Sequence, residues 1–248
     1  MPPRYEYGTQ YRASFGGAFT PAVKLLIIIN VAVYVIEMFL RSAAGPDAWD
    51  LALTWFALNP VLVLKSFFVW QLVTYQFMHS LSSIFHLLFN MLMLWMLGCE
   101  IERVWGATKF VRYYLVCGIG AGVLNCAFAF GSQTIGASGA VFGLLVAYGV
   151  LFPTRTILFW GIFPMSARQL VILLALIELF SLGAFGQDGV ARFAHLGGAL
   201  TGYLLIKGVW NPRRFYDEVR WKLRRRRFKK IEREDSRRSD RDRFYPFH

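Results

Sequence analysis

At 248 residues, 56% hydrophobic and only 17% charged, the chain has too little polar surface for a soluble domain of its size. Its mean hydropathy of +0.43 and repeated apolar runs of about 18 residues or more read as a polytopic membrane protein. The formal net charge of +12 is unevenly spread, with 15 Lys/Arg against 7 Asp/Glu between Arg213 and His248. A basic run such as Arg224 to Lys230 beside a membrane span is read as a segment held at anionic lipid head groups. Nucleic acid is not expected as a partner.

The predicted elements, in chain order, begin with a polar stretch, Met1 to Thr20, that carries Arg4 and Arg12 and has no early apolar core, so it does not read as a signal peptide. A first span follows over residues 22–40. The connection Ser42 to Ser82 is too polar and too broken to be a span. Its patches Val61-Leu62-Val63-Leu64 and Phe67-Phe68-Val69, with Trp49, Trp55 and Trp70, suggest short helices lying in the interface. The second span covers 83–101, and Glu102, Arg103, Lys109 and Arg112 form a charged turn before the third, 113–130. The fourth covers 136–152, the fifth 169–182 and the sixth 191–210, where Asn211-Pro212 stops it. The expected fold class is therefore all-α: a six-helix membrane domain over 22–210, between a cytoplasmic segment 1–21 and a basic cytoplasmic tail 211–248. Positive charge collects at the N-terminus, the second-to-third turn, the fourth-to-fifth connection and the tail. Six spans with both termini cytoplasmic satisfy that distribution. A bacterial inner membrane is the expected location, from the lean six-span form, with an organelle membrane as the alternative.

Cys99, Cys117 and Cys126 lie in or beside apolar segments at no metal-ligand spacing and read as packing residues. Of the four histidines, His79 and His86 would need a shared helix to ligate together, which the Ser80-Leu81-Ser82-Ser83 stretch makes a poor expectation. No metal and no cofactor are expected.

Chemistry concentrates instead at one depth. In this topology spans two, four and six all begin at the outer face. His86 lies a few residues inside span two, Ser138 about two inside span four and His195 about four inside span six. At 1.5 Å per residue all three share a level to within about a turn. Gly139-x-x-x-Gly143 and Gly198-x-x-x-Gly202 are small-residue faces that let spans four and six approach closely. That would bring the Ser138 hydroxyl to the His195 imidazole, the pairing by which a base makes serine nucleophilic. The oxyanion would need donors. The backbone N–H of Ser138 at a helix start is one, and His86 with Asn90, four apart on one helix face, offer two more. No acidic partner for His195 is expected at this depth, so the pair reads as a dyad. Glu178, in span five, is near enough to the outer end to snorkel and takes no part in this reading. A lone Gly-x-Ser-Gly string is weak evidence, and the weight rests on the shared depth.

These residues carry a resemblance. His86-Leu87-Leu88-Phe89-Asn90, Glu102-Arg103-Val104-Trp105-Gly106, Gly136-Ala137-Ser138-Gly139 and Ala194-His195-Leu196-Gly197-Gly198 with Gly202 resemble, in that order, the signatures of the rhomboid family of intramembrane serine proteases. The resemblance covers about 22–210. It implies Ser138 as nucleophile, His195 as general base, and His86, Asn90 and backbone near Gly136 as oxyanion donors. It also implies that the ring of Phe142 stacks on the catalytic histidine. Trp70-Gln71 stands where many members carry Trp-Arg. Lateral access beside the second and fifth helices and transmembrane protein substrates are implied as well. The competing expectation is a non-catalytic rhomboid-like protein that binds or retains membrane clients. A transporter or channel fits less well, because neither repeated halves nor a polar stripe through the membrane is present.

Overall fold

The computed structural model of the protein describes residues 17–159, 163–181 and 189–208. Most of the N-terminal segment, the turn between spans five and six, and the basic tail lie outside these residues. Helix α1 is Pro21–Ala43, α5 Ile84–Trp105, α6 Ala107–Phe128, α7 Ser138–Leu151, α8 Ala167–Ser181 and α9 Gly189–Lys207. Among the described residues, α1, α5 and α6 are long and apolar enough to cross a membrane, and α7 is a shorter apolar helix. The protein is an integral, polytopic helical membrane protein. By its contacts the chain divides after Tyr203, and α9 belongs to the larger unit up to that residue.

Helix α1 illustrates why the surrounding medium must be lipid. Ala22, Val23, Leu26, Asn30, Tyr34 and Glu37, at helical spacing, are buried. The other faces carry Leu25, Ile28, Val35, Ile36 and Phe39, all exposed. A helix apolar on its outward face is stable only where the solvent is itself apolar. Its start is fixed by Glu102 at the far end of α5. That carboxylate accepts from the Thr20 hydroxyl and from the backbone N–H of Ala22 and Val23, at 3.0 and 2.9 Å for the last two. These are donors that the first turn of any helix leaves without partners. Glu102 thus ties the end of α5 to the start of α1 through these donors. The turn itself is far tighter than the charges suggest: Glu102 and Arg103 finish α5, Lys109 and Arg112 begin α6, and Gly106 alone separates the two helices.

Between α1 and α5 lie α2 (Pro46–Phe56), α3 (Pro60–Ser66), α4 (Gln71–Thr74) and a 3-10 turn, Tyr75–Phe77. The Val61–Leu64 patch is helical as expected. Phe67 is not, because it closes α3 in the left-handed region at φ 59°. Gln71, at the position where the resemblance implies an arginine, is fully buried and works as a neutral clip. Its Oε1 accepts from the Asn59 N–H at 3.0 Å, and its Nε2 donates to the Thr54 carbonyl at 2.8 Å.

This connection positions the serine. Leu58 and Thr134 exchange both backbone hydrogen bonds at 2.9 Å, and the Gly136 N–H donates to the Tyr75 carbonyl at 2.9 Å. The short hairpin between α6 and α7 is therefore pinned to the interfacial helices just before Ser138. Helix α7 packs against α5, α6 and α8 and is buried over most of its length. One element departs from the all-helical expectation. The connection after α7 is an antiparallel hairpin of β1 (Thr156–Phe159) and β2 (Phe163–Ser166), with Thr156 opposite Ser166.

Candidate active site

Ser138 is the first residue of α7, and His195 faces it from α9. Their closest polar atoms, Oγ and Nε2, are 2.8 Å apart. Two helices can come this close because the contact between them is made of backbone. A Cβ built on Gly198 would lie 1.8 Å from the Gly139 carbonyl oxygen, and one on Gly202 3.0 Å from the Gly143 Cα. Phe142, one turn along α7, lies flat against the imidazole, with ring centroids 4.4 Å apart and planes inclined by 10°.

His86 and Asn90 come from α5. The Ser80 N–H donates to His86 Nδ1 at 3.3 Å, so the neutral ring carries its proton on Nε2. That nitrogen faces Gly136: a Cβ at Gly136 would fall 2.8 Å from both Nε2 and Cε1. Gly136 also has φ 119°, a conformation that only glycine adopts without strain. Asn90 is buried and donates one amide hydrogen to the His86 carbonyl at 2.7 Å, which leaves its second hydrogen uncommitted by that bond. The N–H groups of Ser138 and Gly139 belong to the first turn of α7 and lack intrahelical acceptors. Free backbone donors, an Nε2–H and the serine oxygen thus line one cavity of about 700 Å³, whose walls include Phe85, Phe89, Met93 and Leu174. A serine hydroxyl on a histidine lone pair, beside several unspent donors, is suited to acyl transfer.

A family profile, the Rhomboid domain, matches residues 66–212, more than half of the chain. The chain belongs to the rhomboid family. RHOMBOID-like protein 4 of Arabidopsis thaliana is 30% identical over 216 residues, which are 77% of this chain and 53% of that protein. Rhomboid protease AarA of Providencia stuartii is 28% identical, over 73% of this chain and 69% of its own. Rhomboid protease GluP of Bacillus subtilis is 27% identical, over 74% and 34% respectively. The chain spans about half the length of the first two Arabidopsis relatives it matches. Two of the three relatives described here carry the name protease, so proteolysis within the membrane is chemistry of the rhomboid family.

Two features of this rhomboid differ from what its sequence suggests. His195 does have an acidic neighbour: Glu178 of α8 sets Oε1 2.9 Å from Nδ1. Helix α8 runs toward the same face from which α9 returns, so a residue three short of the end of α8 reaches the level of His195. The sequence does put Glu178 near the outer end of span five; what it leaves out is that α8 presents this carboxylate to α9. The second feature is His79. It shares no helix with His86, yet the rings lie 5.2 Å apart, because the Ser80–Ser83 segment folds back over the start of α5. His79 is fully buried, its backbone N–H donating to Glu37 Oε2 at 3.3 Å.

Proposed function

We propose that this rhomboid is an intramembrane serine endopeptidase that cuts transmembrane protein substrates near the ends of their spans. The observation that carries the reading is the 2.8 Å contact between Ser138 Oγ and His195 Nε2 at the floor of a donor-lined cavity. In the proposed reaction Ser138 Oγ bonds to the scissile carbonyl carbon while its proton passes to His195 Nε2. The oxyanion is met by the N–H of Ser138, the Nε2–H of His86 and the Asn90 amide, whereas the Gly136 N–H is already given to the Tyr75 carbonyl, so that Gly136 contributes by leaving room for the His86 ring. Collapse breaks the C–N bond, and His195 returns the proton to the departing amine. Water then repeats the sequence on the acyl-enzyme, restoring the serine. Phe142 holds the imidazole in the plane that both proton transfers need.

Six spans over 22–210, with both termini on the positively charged side, remain our reading of the charge distribution. In that orientation the cavity faces the outer side and receives its water there. The tail from 211 lies against anionic lipid, and a bacterial inner membrane is the proposed compartment. The competing reading, a non-catalytic binder of membrane clients, predicts no turnover.

The experiment is cleavage of a single-span substrate in proteoliposomes by wild type, Ser138→Ala and His195→Ala, with fluorophosphonate labelling alongside. Turnover and labelling by wild type, with both variants folded and inert, is the expected outcome. Equal cleavage by all three would falsify the mechanism, and a folded wild type that neither cuts nor labels supports the binder.

A further inference from the structure

We infer that Glu178 is a positioning residue for His195, making this rhomboid's serine–histidine pair the first two members of a Ser138–His195–Glu178 triad; the inference rests on the function proposed above. A carboxylate within a membrane-spanning helix is costly unless a partner compensates it. The side chain of Glu178 is only 16% exposed and that of His195 17%, and their closest atoms are 2.9 Å apart. Each is therefore the other's means of being there.

The arrangement fixes chemistry as well as position. An ionised carboxylate only accepts hydrogen bonds, so Nδ1 must be the nitrogen carrying the proton. The Nε2 lone pair is then directed at Ser138 Oγ, 2.8 Å away. Without that acceptor, a neutral imidazole divides between two tautomers, and in one of them Nε2 carries a hydrogen and cannot take the serine proton. When Nε2 does take it, the ring becomes a cation within a low-dielectric cavity. Glu178 is the negative charge already in contact with it, and such a contact is worth far more there than in water. The ionisable groups facing His195 among the described residues are Glu178 from α8 and His86 from α5. His86 does not favour a cation, so Glu178 is the group that can. Stacking by Phe142 fixes the plane of the ring, and Glu178 fixes its rotation within that plane.

The test separates orientation and charge from simple packing. Glu178→Gln keeps the volume and can still accept from Nδ1–H, but it removes the charge and can also turn its amide to impose the wrong tautomer. Rates are taken per folded enzyme, counted by the final extent of fluorophosphonate labelling on Ser138. We expect kcat to fall about 10- to 100-fold with KM within about twofold, because the lost interaction belongs to the transition state. The rate of labelling should fall in parallel while its final extent is unchanged. Glu178→Asp, which keeps the charge but withdraws it by one methylene, should recover part of the loss. A Glu178→Gln enzyme with wild-type kcat per labelled serine overturns the inference. So does a loss confined to KM, or one explained wholly by a smaller labelled fraction. Should Glu178→Gln not fold, Glu178→Asp is read against the same criteria. Retained activity in Ser138→Ala would instead remove the underlying serine mechanism, an outcome distinct from any of these.

Discussion

Gly198 of α9 rests on the backbone of Gly139 in α7, so closely that a Cβ on Gly198 would meet the carbonyl oxygen at 1.8 Å. The serine adjoins one of these glycines and the histidine precedes the other by three residues. Helix spacing and reactive distance are therefore one quantity. Gly198→Ala must drive the helices apart by more than about 1 Å, and a displacement of that size can cost on the order of 100-fold in rate. Overpacking adds about 1–3 kcal/mol of instability. Cleavage rate and thermal unfolding in detergent check this, and a Gly198→Ala enzyme with wild-type kcat would refute the coupling.

Gly136 combines φ 119° with a path that leaves 2.8 Å between a notional Cβ and the His86 ring. Gly136→Ala should turn His86 away from the cavity as well as strain the loop. Loss of one oxyanion donor corresponds to about 10²–10³ in kcat, and left-handed strain to roughly 1–3 kcal/mol. The rate should fall much further than the unfolding temperature alone explains; proportionate losses would mean that only folding is affected.

Glu102 stands sixteen residues after His86 on α5, about 24 Å along the helix, and holds the start of α1. Glu102→Ala strips acceptors from the Thr20 hydroxyl and from two backbone N–H groups, at a cost of roughly 2–4 kcal/mol. The specific rate of serine labelling in the folded fraction should be unchanged. A variant that is stable but slow would show that this end of the bundle reaches the site after all.

Burial, with His86 as a second cause, pushes His79 down to about 4. In the unfolded chain it takes up a proton near the usual value of about 6.5. Its neutral form is therefore the one the fold accommodates. The associated stability is fully present above about pH 6.5 and is lost as pH falls toward 4, amounting to a few kcal/mol. Unfolding measured at intervals across this window should slope less steeply in His79→Gln than in wild type. Parallel slopes would assign the acid sensitivity elsewhere.

Much of this architecture is legible in the sequence, for identifiable reasons. Helix rise converts residue counts into depth, which is why Ser138, His86 and His195 can be set at one level before any coordinates. Small residues four apart mark the α7–α9 contact because backbone approach requires them. Glu178 too lies near the outer end of its span, but its pairing with His195 depends on which faces of α8 and α9 meet, which depth does not encode. Charged residues around Gly106 suggest a long turn, but Glu102 and Arg103 still satisfy helical geometry at α5's end, and one glycine suffices to reverse direction. The β1–β2 hairpin escapes notice because four-residue strands are too short for alternation to register. The nearness of His79 and His86 depends on a backbone N–H finding a ring nitrogen, which no spacing encodes.

Helix α7 has 14 residues, about 21 Å, against roughly 30 Å of hydrocarbon. A chain severed at the level of its first residue is divided unequally. The longer remnant keeps most of its apolar span and stays embedded, while the shorter carries only a few such residues and lacks the area to hold itself in lipid. On the proposed function, cutting at this depth would sort the two products between phases, setting one free and stranding the other, with no further work by the enzyme.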